Sequence, residues 1–147
     1  MLKKLRQRLK NERGLTLIEL LAVVVILGII AAIAIPSIGG LIDNSKKDAH
    51  VANAKQMVSS AKLEIASKDS EATATTAGKV TLKELEDGGY IDTLKDPDGS
   101  KTSYERDKSF VSFDTEKKTY SVTLIGKKRT VSGDSGSLTR TSVADNK

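Results

Sequence analysis

The sequence predicts an α+β chain: a long N-terminal helix, its first half membrane-spanning and its second half amphipathic, packed on a small antiparallel C-terminal sheet. Three observations predict it. Leu20 to Ile42 is an apolar run without a charged residue. Beyond it, Val51, Ala54, Val58, Ala61 and Ile65 recur at steps of three and four, the period of a helix with one buried face. After Asp96 the pattern changes to turn residues and to alternation, with Tyr120, Val122 and Leu124 two apart as in a strand.

The first element, residues 1–14, carries Lys3, Lys4, Arg6, Arg8, Lys10 and Arg13 against one acid, Glu12, so it holds the whole formal charge of +5. The remainder is balanced, and the basic character therefore belongs to the leader. A basic flank keeps its side of a span in the cytoplasm, which places the C-terminal part outside. The second element, residues 15–42, contains the apolar run; as a helix that run reaches roughly 35 Å, against a hydrocarbon core of about 30 Å. Residues 43–68 continue the helix in amphipathic form.

Residues 69–147 form the head: a loop, a short helix and the sheet. Asp69 to Gly78 is small and polar and reads as the loop. Thr81 and Glu84 have capping-box spacing and Gly88-Gly89 a left-handed stop, so the intervening residues make about two helical turns. Asp96-Pro97-Asp98-Gly99 is a turn, Phe110 to Phe113 a strand, and Asp114 to Lys118 a hairpin loop. A second strand pair is expected at Lys127 to Val131 and Leu138 to Val143 around a turn at Gly133 to Gly136, with a frayed tail from Ala144.

The chain has no cysteine and one histidine, His50. No disulfide can staple the head, no thiolate can ligate metal, and neither a histidine pair nor a phosphate-binding glycine loop is present for catalysis. On a polar helical stretch His50 is expected to be solvated and is assigned no role. The run Lys127, Lys128, Arg129 is read as a solvated guard on an edge strand, contact with DNA or another anionic surface being the alternative. No cofactor and no metal is expected.

A secretory signal is cut after its apolar stretch, whereas the plausible cut here precedes it, at Gly14-Leu15. The string Glu12-Arg13-Gly14-Leu15-Thr16-Leu17-Ile18-Glu19-Leu20-Leu21, the apolar run behind it and Pro36 together resemble the processing motif of type IV prepilins and pseudopilins. The family more often has phenylalanine where Leu15 stands. The resemblance implies a membrane peptidase that cuts after Gly14 and methylates the new amine of Leu15. It implies that Glu19 sets the axial register by neutralising the amine of an adjoining subunit. It further implies that Gly28 to Pro36, weakened by a glycine and a proline, unwinds in a fibre.

The implied function is that of a structural subunit, a major pilin in a surface fibre for adhesion, motility or DNA uptake. Its partners would be further copies of itself, the prepilin peptidase, an assembly platform with its ATPase, and the lipid bilayer before assembly. The alternatives are a pseudopilin of a secretion or competence apparatus and, from another class, a monomeric membrane-anchored binding module. Asp96, Asp98 and Asp107 offer the oxygen donors that calcium takes, as related secretion pseudopilins do with C-terminal loops. The preferred reading is a turn with solvated acids.

Overall fold

The structure, a computed structural model, describes residues 2–68, 78–99, 103–114 and 116–146. Its elements are α1 (Leu2–Lys68), β1 (Lys79–Thr81), α2 (Leu82–Asp87), β2 (Phe110–Asp114), β3 (Thr119–Ile125), β4 (Arg129–Asp134), a 3-10 turn (Arg140–Ser142) and β5 (Val143–Asp145). This is an α+β layout, and the chain divides into two units, Met1–Ile42 and Asp43–Lys147.

From Leu20 to Ile42 in the first unit α1 is apolar on every side. All its large aliphatic side chains from Leu17 to Ile42 are exposed. A helix hydrophobic all round does not suit water, and this one is long and apolar enough to cross a membrane.

In the second unit the helix becomes two-faced. Val51, Ala54, Met57, Val58 and Ala61 are buried and share one core with Val80, Val111, Val122, Leu124 and Val131. The five strands form one antiparallel sheet in chain order, β1-β2-β3-β4-β5. Register explains the core: Val80 stands opposite Val111 and Val111 opposite Val122, while Leu124 faces Val131 and Val131 faces Val143. These two apolar rows run across the sheet on one face, because side chains two apart along a strand point the same way. Ala54 and Ala61, both fully buried, let the backbone of α1 approach that face closely.

Around α2 the capping box is complete. Thr81 Oγ1 accepts from the Glu84 N–H at 3.2 Å, and Glu84 Oε2 accepts from the Thr81 N–H at 2.7 Å. At the other end Gly89 has φ +72°, the left-handed residue that lets Tyr90 N–H reach Leu85 O at 2.9 Å and Gly89 N–H reach Glu86 O at 3.1 Å. The polar stretch before β1 lies outside the described residues from 69 to 77, and β1 itself was not expected.

The hairpin of β2 and β3 has the expected loop. Asp114 Oδ1 accepts from the N–H groups of Glu116 and Lys117, both at 3.0 Å, and Lys118 turns the chain at φ +51°. These bonds, the Lys117 N–H foremost, hold the Asp114 carboxyl below its ordinary value of 3.8. A depressed carboxylate contributes stability that is full above that value and is lost as pH falls through the folded-state pKa. NMR titration of Asp114 should therefore give a midpoint below 3.8; a midpoint at or above it would mean that the carboxylate does not hold the turn.

The last two strands differ from expectation. β4 begins at Arg129 and runs on through Gly133, which pairs with Val122, so the turn lies after Asp134. Leu138 is buried outside any strand, and the final strand is Val143–Asp145. The tail is not frayed there, because Arg129, Thr130 and Val131 pair with Asp145, Ala144 and Val143. Beyond them the Asn146 side chain donates to Gly126 O at 2.8 Å.

Candidate functional site

Two regions concentrate chemistry. The first is the start of α1. Gly14 and Leu15 lie within the helix, and Glu19 follows Leu15 by one turn, an exposed carboxylate on an otherwise apolar surface. Gly28 has open space where a side chain would be, and α1 continues without a break through Pro36. In the single chain the segment from Gly28 to Pro36 is thus helical.

A stretch with one acid among exposed aliphatic residues has two chemical possibilities. In lipid the aliphatic residues are at home and the carboxylate requires a cationic partner. Against other helices the same surface packs, and the acid again needs such a partner.

In the second region sequence reasoning singled out Asp96 and Asp98 but grouped them with Asp107 and left out His50. His50 is fully buried, as is Asp96 nearly so, and only 2% of the Asp98 side chain is exposed. The imidazole Nε2 lies 3.0 Å from Asp98 Oδ2 and 3.6 Å from Asp96 Oδ1, while Nδ1 lies 2.8 Å from the Tyr104 hydroxyl. Asn53 Nδ2 donates to that hydroxyl at 3.0 Å. Burial, aided by the charges of Asp96 and Asp98, pushes the Tyr104 phenol upward, so it stays protonated.

Turn geometry brings the acids in. Asp96 Oδ1 accepts from the Asp98 N–H at 2.8 Å, and Gly99 N–H reaches Asp96 O at 3.2 Å, so the expected turn forms. Asp96 Oδ2 accepts from the Lys127 N–H at 2.7 Å. Gly126 permits this approach: a Cβ there would lie 2.8 Å from Asp96 Oδ2. Asp107 stays apart, exposed and 3.6 Å from Lys83.

The acids at 96 and 98 are therefore not solvated, and His50 is not a surface residue. Arg129 also departs from expectation. Its side chain is 12% exposed and pairs with Asp43, with Asp145 at 3.0 Å and with Asp98 at 3.5 Å, whereas Lys127 and Lys128 are exposed. Lys46 approaches Asp98 at 3.6 Å. Burial acts to raise the Asp98 carboxyl, but the His50 hydrogen bond and the charges of Arg129, His50 and Lys46 outweigh it and hold the group low.

One signal was available. Residues 50, 54, 57, 61 and 64 follow the alternating four-and-three spacing of a buried helical stripe, and all five are buried. His50 opens that stripe.

Comparison with known proteins bears on the first region. Residues 9–35 match the family model described as the prokaryotic N-terminal methylation motif. No curated protein and no solved structure matches the chain. The matched segment contains Gly14, Leu15, Glu19 and Gly28 and stops one residue before Pro36. The chain thus carries the N-terminal methylation motif that marks prepilins of the type IV pilin and pseudopilin family.

Proposed function

We propose that this chain is a structural subunit of a type IV pilus, made as a prepilin, trimmed between Gly14 and Leu15, methylated on Leu15 and assembled into a surface fibre. The observation that carries this reading is the methylation motif at residues 9–35, borne on a helix whose large aliphatic side chains from Leu17 to Ile42 are exposed. Before assembly the helix sits in the bilayer with the basic leader cytoplasmic and the head outside. Other copies then replace lipid around it. Prepilin peptidase and an assembly platform with its ATPase are the partners this route needs, and the work is structural, not enzymatic.

Glu19 in this reading meets the free amine of Leu15 in a neighbouring copy. An amine left buried as a cation when its carboxylate partner is removed costs about 3–5 kcal/mol. Glu19→Ala should therefore leave trimming and membrane insertion intact while surface fibres, recovered by shearing, fall more than about tenfold. Wild-type fibre yield would remove the register role. Mass spectrometry of the wild-type chain from membranes and fibres should find a methylated Leu15 at the N-terminus; an intact leader in a membrane-bound chain that forms no fibres would instead indicate an anchored monomer.

Fibre assembly also gives the segment from Gly28 to Pro36 its role. Extended chain rises about 3.3 Å per residue against about 1.5 Å in a helix, so unwinding there lengthens the subunit once it leaves lipid. A fibre map at side-chain resolution would reveal extended chain at this segment. Long fibres with this chain as their main component fit a major pilin, whereas a short periplasmic or wall-spanning assembly would make it a pseudopilin.

A further inference from the structure

We propose that His50, Asp96 and Asp98 form a binding site for a divalent first-row transition-metal ion of the Zn2+ class. The site joins α1 to the 96–99 turn and, through Asp96, to the turn between β3 and β4. Nothing in the assembly role requires it.

The geometry is that of a preformed donor set. One ligand atom from each residue lies within 4.8 Å of the others, with Nε2 3.0 Å from Asp98 Oδ2 and 3.6 Å from Asp96 Oδ1. An ion about 2.0–2.2 Å from nitrogen and oxygen donors in a tetrahedral site separates those donors by about 3.3 Å. The two observed separations straddle that value. The third separation, between the two carboxylates, lies within 4.8 Å, and a water would complete the shell.

The donors also select the metal. One imidazole nitrogen with two carboxylate oxygens suits Zn2+ and its neighbours, whereas calcium prefers six to eight oxygens. Asp107, the third acid of the calcium reading, is on the surface beside Lys83.

The outer contacts are those that orient metal ligands. Tyr104 Oη, itself held by Asn53, fixes Nδ1 at 2.8 Å, and the Lys127 N–H fixes Asp96 Oδ2 at 2.7 Å. Lys46 and Arg129 stand on the Oδ1 side of Asp98 at 3.6 and 3.5 Å, leaving Oδ2 to face the imidazole. Arg129 is shared with Asp43 and Asp145, and Lys47 pairs with Asp43 at 3.0 Å. With His50 neutral, as a metal on Nε2 requires, the carboxylates of Asp43, Asp96, Asp98 and Asp145 outnumber the cations of Lys46, Lys47 and Arg129 by one. A dication does not enter a positive pocket.

Binding has a spectroscopic mark. Without metal, Nε2 lies 3.0 Å from the Asp98 carboxylate, an acceptor, and so carries a proton. Metal on Nε2 displaces that proton and leaves the ring N–H on Nδ1, facing Tyr104 Oη. Because His50 is the only histidine, the imidazole nitrogen spectrum of a tag-free chain reports this one residue.

The experiment uses the full chain, tag-free and chelator-treated, in detergent, titrated with Zn2+ alone. The expected result is a shift of the Nε2 resonance complete at one equivalent and a saturable rise in Tm of at least about 5 °C. Both responses should vanish in His50→Gln and in Asp98→Asn. If a variant does not fold, the wild-type nitrogen spectrum still decides. An unmoved Nε2 resonance at millimolar Zn2+ would overturn the proposal. So would a Zn2+ response that survives in folded Asp98→Asn, or one that Ca2+ reproduces at equal concentration.

Discussion

Gly14→Val is expected to leave the chain untrimmed, so that the full-length form accumulates in the membrane and processed subunit falls at least about tenfold. The backbone geometry strengthens the reason. Gly14 and Leu15 lie inside α1, so a peptidase that cuts between them must first open the helix and then seat an extended backbone. Glycine favours both steps: it weakens helix by about 1 kcal/mol relative to alanine and presents no side chain to the catalytic groups. Valine obstructs the second step with a branched side chain. Immunoblotting of membranes, with intact mass as a check, measures the outcome. Normal trimming of the variant would mean that the cut is made elsewhere.

The head should lose much of its stability in Leu124→Ala. Leu124 is fully buried on β3, the middle strand, and faces Val131 across the ladder while packing against the α1 stripe. Truncation of a fully buried leucine destabilises by about 2–5 kcal/mol, since the cavity only partly collapses. Domains of this size have about 5–15 kcal/mol in all, so the variant should unfold at much lower urea. Leu63→Ala is the matching control. Leu63 is 63% exposed on α1, and its removal should change stability by no more than about 0.5 kcal/mol. Equal effects at the two positions would contradict the burial described for the core.

What the sequence revealed depended on whether the signal was local. The apolar run from Leu20 to Ile42, the stripe at Val51, Ala54, Val58 and Ala61, and the Thr81–Glu84 box are patterns within a few turns of chain, and each corresponds to a described element. β2 and β3 were visible because Phe110 to Phe113 is rich in strand-forming residues and Tyr120, Val122 and Leu124 alternate. β4 offers only Val131 as a large aliphatic residue, and its Gly133-Asp134 looks like a turn until Val122 is placed opposite. The cluster at His50 was hidden more deeply. Its burial arises from a turn almost fifty residues away, and no local pattern links the imidazole to Asp98. Arg129 misled in the same way, since its carboxylate partners come from α1, the 96–99 turn and β5.

The outermost strands, Lys79–Thr81 and Val143–Asp145, have three residues each. So short a border exposes few unpaired backbone groups, and Lys79 and Asp145 place opposite charges at its two sides. Heads of this kind can be crowded at very high local concentration without one sheet zipping onto the next. Growth into cross-β material is thereby discouraged.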